Sequence, residues 1–511
     1  MTMPLPPGPL HGNFAHALRE TAAFAPAKPA IVEPLGTTVY GDLDARSRAV
    51  AEALAASGVR AGDRVAIFLP RGADAAAAFF GVLASGAIAV NVNESLRPRQ
   101  IEHILDHSDS KILLTAPDML ERLPRALETR ASVLSLADIS ASGTAEPAPR
   151  IETDVAHIVY TSGSTGLPKG VTISHGNLWA GMRAVVGYLG LSRDDRIASL
   201  LPFSFDYGLN QLLCCAGTGA TLVVEASPVP QRLARALRAH EVTVLPGVPP
   251  LWLQLLDVEA FRAEPVESLR VMTNTGGRLP TEAVRKLRRC QPQASLFLMY
   301  GLTEAFRSTY LLPERVDGKP NSIGRAIPGA EILVVGQDFS PCKPGEVGEL
   351  VHRGPTVSLG YWNDPAATAL VFRPNPFRPL GTPAAERVVL SGDLVYRDEE
   401  GDLFFVGRRD RMIKRLGYRV SPDEVVDVLY ASGEIVEAIV VAEPDEVHGS
   451  HIVAYVVLAE GGDLERLKGF TTQELPRYMQ PSRFEVRPSL SRTSSGKHDA
   501  AATAGTHRDP V

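Results

Sequence analysis

Cysteine is scarce in this chain: four among 511 residues, Cys214, Cys215, Cys290 and Cys342, with no CxxC pair. That excludes a disulfide-stapled scaffold and points to reduced thiols in a cytoplasmic protein. Basic excess is lacking too. The 52 Lys plus Arg against 58 Asp plus Glu leave a formal charge of -6, so nucleic acid is not the expected partner. No apolar run reaches the ~20 residues of a membrane-spanning helix. The most apolar stretch, Ala75 to Val90, is broken by Gly81, Ser85 and Gly86, and reads as a buried helix followed by a strand, without membrane insertion. The opening MTMPLPPGPL has neither the basic nor the apolar part of a signal peptide. A Walker GxxxxGK[ST] loop is missing, because Gly496-Lys497 is followed by His498 and lacks the upstream glycine.

What is present is globular: 45% hydrophobic and 22% charged residues rule out a mostly disordered chain. Its length predicts about three domains, or one large and one smaller lobe. Short apolar runs alternate with amphipathic segments. Arg64 to Leu69, Lys111 to Leu114, Ala220 to Val224, Val242 to Leu245 and Ser295 to Met299 read as strands of βα units. The fold class expected is α/β, with doubly wound sheets that bind ligands at the carboxyl ends of their strands. Ser142 to Thr153 reads as a surface linker. After Pro328, short strands at Glu331 to Val335, Gly348 to Val351 and Asp402 to Val406 suggest a small antiparallel module. A small mixed α+β lobe begins near Arg411, and His498 to Val511 lack apolar period and read as a loose tail.

The richest stretch is Ile158-Val159-Tyr160, then Thr161-Ser162-Gly163-Ser164-Thr165-Gly166-Leu167-Pro168-Lys169-Gly170-Val171. Glycines let backbone N–H groups converge on an anion, hydroxyls donate further bonds, and the lysine adds a point charge. Four hydroxyls, three glycines and a lysine between two strands exceed what a hairpin turn needs. The stretch suits a polyphosphate.

This motif resembles the phosphate-binding signature of the adenylate-forming superfamily, which holds acyl-CoA synthetases, amino-acid adenylation domains and luciferases. The resemblance runs from about Phe14 to about Lys497. Pro202 to Gly208 (PFSFDYG) and Thr303 to Tyr310 (TEAFRSTY) look most like a bacterial AMP-forming acyl-CoA ligase group found near exosortase systems. The resemblance implies a large amino-terminal AMP-binding domain over residues 1–408. A small mobile α+β carboxy-terminal domain would occupy 409–511, with a hinge near Asp410.

It also implies roles at matching positions. Thr161, Ser162, Gly163, Ser164, Thr165, Gly166 and Lys169 would hold phosphates. In Tyr300-Gly301-Leu302-Thr303-Glu304 the tyrosine would stack on adenine, Thr303 would bond the α-phosphate and Glu304 would ligate Mg²⁺, a hard cation that suits a carboxylate. The Thr275-Gly276-Gly277 backbone would pass close to adenine. Asp393 would accept both ribose hydroxyls and Arg408 would contact ribose. Gly417, in Gly417-Tyr418-Arg419-Val420, would line a thiol tunnel after the small lobe rotates. Lys497 would be the catalytic cation bridging the attacking oxyanion and the α-phosphate. His498-Asp499-Ala500 departs from the family's basic residue at this point.

The implied chemistry has two halves. An oxyacid, most simply a carboxylic acid, attacks the α-phosphorus of ATP with release of pyrophosphate. A thiol, of coenzyme A or of a pantetheinylated carrier protein, then displaces AMP. No Ser-His-Asp or Cys-His constellation occurs in any motif, in keeping with catalysis by positioning and charge neutralisation. Phe205, Asp206, Gly247, Asn274 and Phe306 are the expected walls of the acid pocket. Asp206 either pairs with a substrate α-ammonium, as in amino-acid adenylation domains, or caps a helix. The acid therefore stays open between a carboxylic acid for a thioester, an amino acid for a carrier protein, and nitrite for an aryl amine. A catalytically silent nucleotide-binding homologue is the remaining alternative.

Overall fold

Glycine and proline cut the first 400 residues into short strands, and the apolar runs between them build two mixed sheets. The computed structural model describes residues 12–96, 98–120, 131–161, 168–225, 229–379, 381, 386–409, 412–415, 418–445, 449–493 and 498–505. One sheet runs, from edge to edge, Gly360–Tyr361, Lys169–Ser174, Val155–Thr161, Ile88–Asn91, Arg64–Phe68, Ser110–Thr115, Ser132–Ser135. Its last five strands are parallel, as the βα pattern predicts. Ile88–Asn91 is buried along its whole length, which is why it reads as a continuous apolar run. Helix Ala73–Ala84 covers this sheet and buries every residue but Asp74. Gly81 is required there, because a Cβ would lie 2.6 Å from the Ser47 carbonyl of the neighbouring helix.

The second sheet has a parallel half of Pro29–Glu33, Thr221–Val224, Arg196–Ser199, Val244–Gly247, Val271–Asn274 and Ser295–Tyr300. Beyond Tyr300 it turns antiparallel through Thr309–Leu311, Ser322–Ala326, Leu403–Arg408, Arg387–Arg397, Gly348–Arg353 and Glu331–Val335. The antiparallel pattern expected after Pro328 thus starts earlier and is hydrogen-bonded to the parallel half. The chain reverses at Phe306, whose φ is 53°, and the three-residue strand that follows is too short to show a period. Three parallel strands end at Gly247, Asn274 and Tyr300, the side where ligands of such sheets bind.

Ile413–Arg415 pairs with Tyr418–Val420 as a separate hairpin. Ile435–Asp445, Gly449–Leu458 and Arg483–Val486 form a sheet of their own. Val425, Leu429, Ile452, Ala454, Val456 and Leu467 fill its core. Arg278 of the large sheet's side forms an ion pair with Asp427 on helix Pro422–Ala431. The tail differs from expectation: Ala500–Gly505 is helical. Thr503 is buried, its hydroxyl accepts the Ser491 N–H at 3.2 Å, and Asp499 donates its N–H to the Ser491 carbonyl at 2.8 Å. Alanines at helical spacing carry too weak an apolar signal to be read from sequence. Among the described residues no helix is long and apolar enough to cross a membrane.

Candidate active site

The hydroxyl-rich stretch leaves strand Val155–Thr161 and returns as Lys169–Ser174, with Thr161 opposite Lys169. Residues 162–167, which include Ser162, Gly163, Ser164, Thr165 and Gly166, lie outside the described residues, as do Asp410, Gly417 and Lys497. Lys169 holds its ammonium 5.6 Å from the centroid of the Tyr361 ring, a cation–π distance. Tyr361 reaches this place because Gly360–Tyr361 pairs with the phosphate hairpin, Tyr361 opposite Val171. Its hydroxyl donates a 2.6 Å hydrogen bond to Glu304 Oε1. One tyrosine therefore spans the hairpin lysine and the carboxylate expected to meet the metal. Burial and the Glu304 charge push the Tyr361 hydroxyl above its usual range, so it remains a donor at any working pH.

Thr303 and Glu304 sit in a short 3₁₀ turn, Thr303–Ala305, directly after the buried strand Ser295–Tyr300. The Glu304 carbonyl accepts the Ser358 N–H at 2.9 Å, which fixes the turn. Gly301 stands where a Cβ would come within 3.5 Å of the Arg307 backbone. A hard divalent cation takes oxygen ligands, and the half-buried Glu304 carboxylate, next in sequence to Thr303, fits Mg²⁺. No group of three or more His, Cys, Asp or Glu that could hold a metal occurs among the described residues. A magnesium ion here would draw most of its ligands from phosphate and water.

The Tyr300 hydroxyl donates to Asp393 Oδ2, and Asp393 is paired across the strands with Arg408, Nη1 lying 3.5 Å from Oδ1. Burial, and then the Asp393 charge, raise the Tyr300 hydroxyl well above its usual range. Asp393 is aimed by its own turn. Its N–H donates to Ser391 Oγ at 3.0 Å, and Gly392 takes a left-handed φ of 71° that a side chain would strain. The expected ribose and adenine residues thus converge on one another. Gly276 is also left-handed, with φ 79°. Asn274 donates to the Gly277 carbonyl at 3.1 Å, closing this backbone segment at a strand end.

The expected acid-pocket residues lie deeper. Asp206 opens helix Asp206–Thr218, and its Oδ1 accepts the Tyr207 N–H at 2.8 Å. Its Oδ2 faces Arg307 Nη1 at 3.5 Å, with the two side chains only 7% and 4% exposed. Phe205, half-buried, meets the Tyr207 ring edge-on at 6.4 Å. Phe306 is fully buried, packed where a Cβ on Gly181 would come within 2.2 Å of its ring. Gly247 lies under the indole of Trp252, 2.6 Å from where its Cβ would stand.

Two residues had gone without a role, Tyr361 and Arg307. Tyr361 sits in no motif, and only the pairing of its strand with the hairpin exposes it. Arg307 carried no local signal, because its partner Asp206 lies 101 positions earlier in the chain.

The sequence matches the profile of AMP-binding enzymes over residues 18–362 and that of the AMP-binding enzyme C-terminal domain over 424–497. It is 31% identical to tyrocidine synthase 3 of Brevibacillus parabrevis over 96% of this chain, yet spans only 8% of that protein's length. It is likewise 31% identical to novobiocin biosynthesis protein H of Streptomyces niveus, over 98% of this chain and 83% of that one. The fold superposes on o-succinylbenzoate CoA synthetase from Bacillus subtilis, solved with its acyl-adenylate intermediate, with a TM-score of 0.85 at 28% identity. The match covers 97% of this chain and 98% of that one. Family profiles on both lobes and a shared fold carry the same conclusion: this chain belongs to the AMP-binding enzymes, the adenylate-forming ligases.

Proposed function

We propose that the protein joins a carboxylic acid to AMP at the expense of ATP, releases pyrophosphate, and passes the acyl group to a thiol of coenzyme A or of a pantetheinylated carrier protein. The observation that carries this reading is the Lys169–Tyr361–Glu304 bridge. It sets the hairpin cation and a metal-grade carboxylate on one rim, next to the Tyr300–Asp393–Arg408 group.

The chain's own residues divide the work. Lys169 and the hydroxyls and N–H groups from Thr161 to Gly166 hold the phosphates. Glu304 and Thr303 would hold Mg²⁺, which when bound neutralises phosphate charge and orients its oxygens. Asp393 and Arg408 take the ribose, and the backbone at Gly276 and Gly277 flanks the base. Lys497 neutralises the attacking carboxylate and the α-phosphate together. The electron pair of the acid oxygen forms the new bond to phosphorus while the pyrophosphate oxygen leaves with its pair. No protein nucleophile is needed. We place the hinge at Asp410, between a large domain of residues 1–408 and a small one of 409–511, and the thiol path beside Gly417.

The test is acid-dependent pyrophosphate release from MgATP, followed by the product mass with coenzyme A. ATP consumption that no acid stimulates would refute the proposal.

A further inference from the structure

Arg307 is nine-tenths buried and only partly paired. Nη1 donates to its own Phe306 carbonyl at 2.9 Å and faces Asp206 at 3.5 Å. Nε and Nη2 have no hydrogen-bond partner. The guanidinium lies 5.1 Å from the Tyr207 ring centroid and 5.5 Å from that of Phe306, so its plane is held. Arg307 lines a small cavity of about 20 Å³, walled by Val185, Ile197 and Met299 among others. That is room for one water-sized group.

Two more unsatisfied groups line the same cavity. Asn210 Nδ2, a donor, and Gln211 Oε1, an acceptor, are buried without partners. Their other ends are engaged: Cys214 donates to Asn210 Oδ1 at 3.5 Å and Gln211 Nε2 donates to the Tyr207 carbonyl at 2.7 Å. Three N–H donors and one acceptor around a water-sized space match a hydroxyl or carbonyl oxygen. Leaving them unmatched would cost free energy at each group.

Charge decides the rest. Arg307, the charged residue among those lining the cavity, is already paired with Asp206 behind it, and the other lining polar groups are neutral, so an anionic guest would be a third, uncompensated buried charge. An α-ammonium would meet Asp206 only by displacing or opposing Arg307. We propose that the acid activated here has no α-amino group and carries, away from its reacting carboxyl, one uncharged oxygen held by Arg307, Asn210 and Gln211. This rests on the adenylation reading and narrows its substrate class to hydroxy or keto acids.

The test uses two matched sets: hexanoate, 6-hydroxyhexanoate, adipate and norleucine; and benzoate, 3- and 4-hydroxybenzoate, terephthalate and phenylalanine. Pyrophosphate release gives kcat/KM for each. Within the set that is turned over, a hydroxy acid is expected to exceed its unsubstituted, dicarboxylic and amino counterparts by at least about 100-fold, as sites built to bond a substrate hydroxyl do. Arg307→Met uncovers Asp206 and should raise the amino acid relative to the hydroxy acid. The double variant Asp206→Asn with Arg307→Met keeps the pocket neutral, guards against misfolding, and should abolish the discrimination. Turnover that favours the unsubstituted, dicarboxylic or amino acid overturns the inference and leaves adenylation standing, as does a preference that survives in the double variant. No pyrophosphate release with any of these acids counts against adenylation itself, and this inference falls with it.

Discussion

The proposed nucleotide rim and the proposed acid pocket treat their polar groups differently. On the rim, Glu304 is half-buried, Asp393 buried and Arg408 exposed, and each carboxylate is engaged by a tyrosine hydroxyl: Tyr361 on Glu304, Tyr300 on Asp393. In the acid pocket, Asp206 and Arg307 are sealed in, and polar atoms face a water-sized space without partners. The rim can wait for its ligand because its charged groups already have partners: Tyr361 for Lys169 and Glu304, Tyr300 and Arg408 for Asp393. The pocket cannot, because a buried donor left unmatched keeps its desolvation cost. The difference teaches where selectivity lies. On the proposed assignments the rim would meet the same triphosphate in every turnover, whereas the pocket would penalise any acid that fails to match its donors.

Lys497→Ala should break the comparison most severely, since that cation would serve both halves at once. A loss on the order of 10²- to 10³-fold or more in adenylate formation is expected, the size seen when one preorganised charge-stabilising group is removed. ATP binding by calorimetry, and thiolysis of preformed adenylate, should be largely intact. Equal loss of both half-reactions would contradict the role. Next comes Gly417→Trp. It should spare acid-dependent pyrophosphate exchange and cut thioester formation by about 100-fold, the effect of displacing a reactant by about an ångström; transfer at the wild-type rate would remove Gly417 from the thiol path.

How much of this contrast was legible in the sequence depends on the residue. The rim announced itself, because phosphate recognition needs glycine and hydroxyl types in one contiguous run, and Thr161 to Lys169 supplies them. Its bracing did not, because Tyr361 enters through strand pairing some 190 residues from the hairpin. Parallel strands such as Arg64–Phe68 and Ser295–Tyr300 were readable as apolar runs, since burial on both faces leaves no polar interruption. The helix Ala500–Gly505 was not, because small alanines pack without a strong pattern. The sequence leaves Asp206 as either an ammonium partner or a helix cap. The structure makes it the first residue of a helix and gives it Arg307, a pairing across 101 positions that no local spacing encodes.

Tyr361→Phe sharpens the rim half. The ring stays under Lys169 while the hydrogen bond to Glu304 goes. A bond to a charged group contributes about 1.5 kcal/mol at the low end, roughly tenfold. That should appear in kcat/KM for ATP and as a higher magnesium requirement, with the order of preference among acids unchanged. A changed acid preference would show that the two halves are not separate.

Asp427→Asn is the smallest expected effect and a control on both halves. Burial pushes the Asp427 carboxyl up to about 6 from 3.8, against the opposing pull of Arg278 and with help from Asp423 and Glu424. A carboxyl whose pKa is higher in the folded state binds its proton more tightly there. Its contribution to stability is complete below pH 3.8 and is lost as pH rises through about 6. The wild type should therefore lose stability relative to Asp427→Asn between about pH 4 and 6, as read by thermal melts in matched buffers. Below about pH 4 the protonated wild-type carboxyl resembles the amide and the two should melt together; by pH 7.5 the variant should melt modestly above the wild type, because the partly exposed pair with Arg278 returns no more than about 1 kcal/mol. Acid selectivity should be unchanged, because Asp427 touches neither the rim nor the pocket. A wild type that instead gains stability on Asp427→Asn as pH rises through about 6 would reverse the sign of the argument and make the ion pair, rather than the cost of burying it, the dominant effect where the small lobe meets the large one.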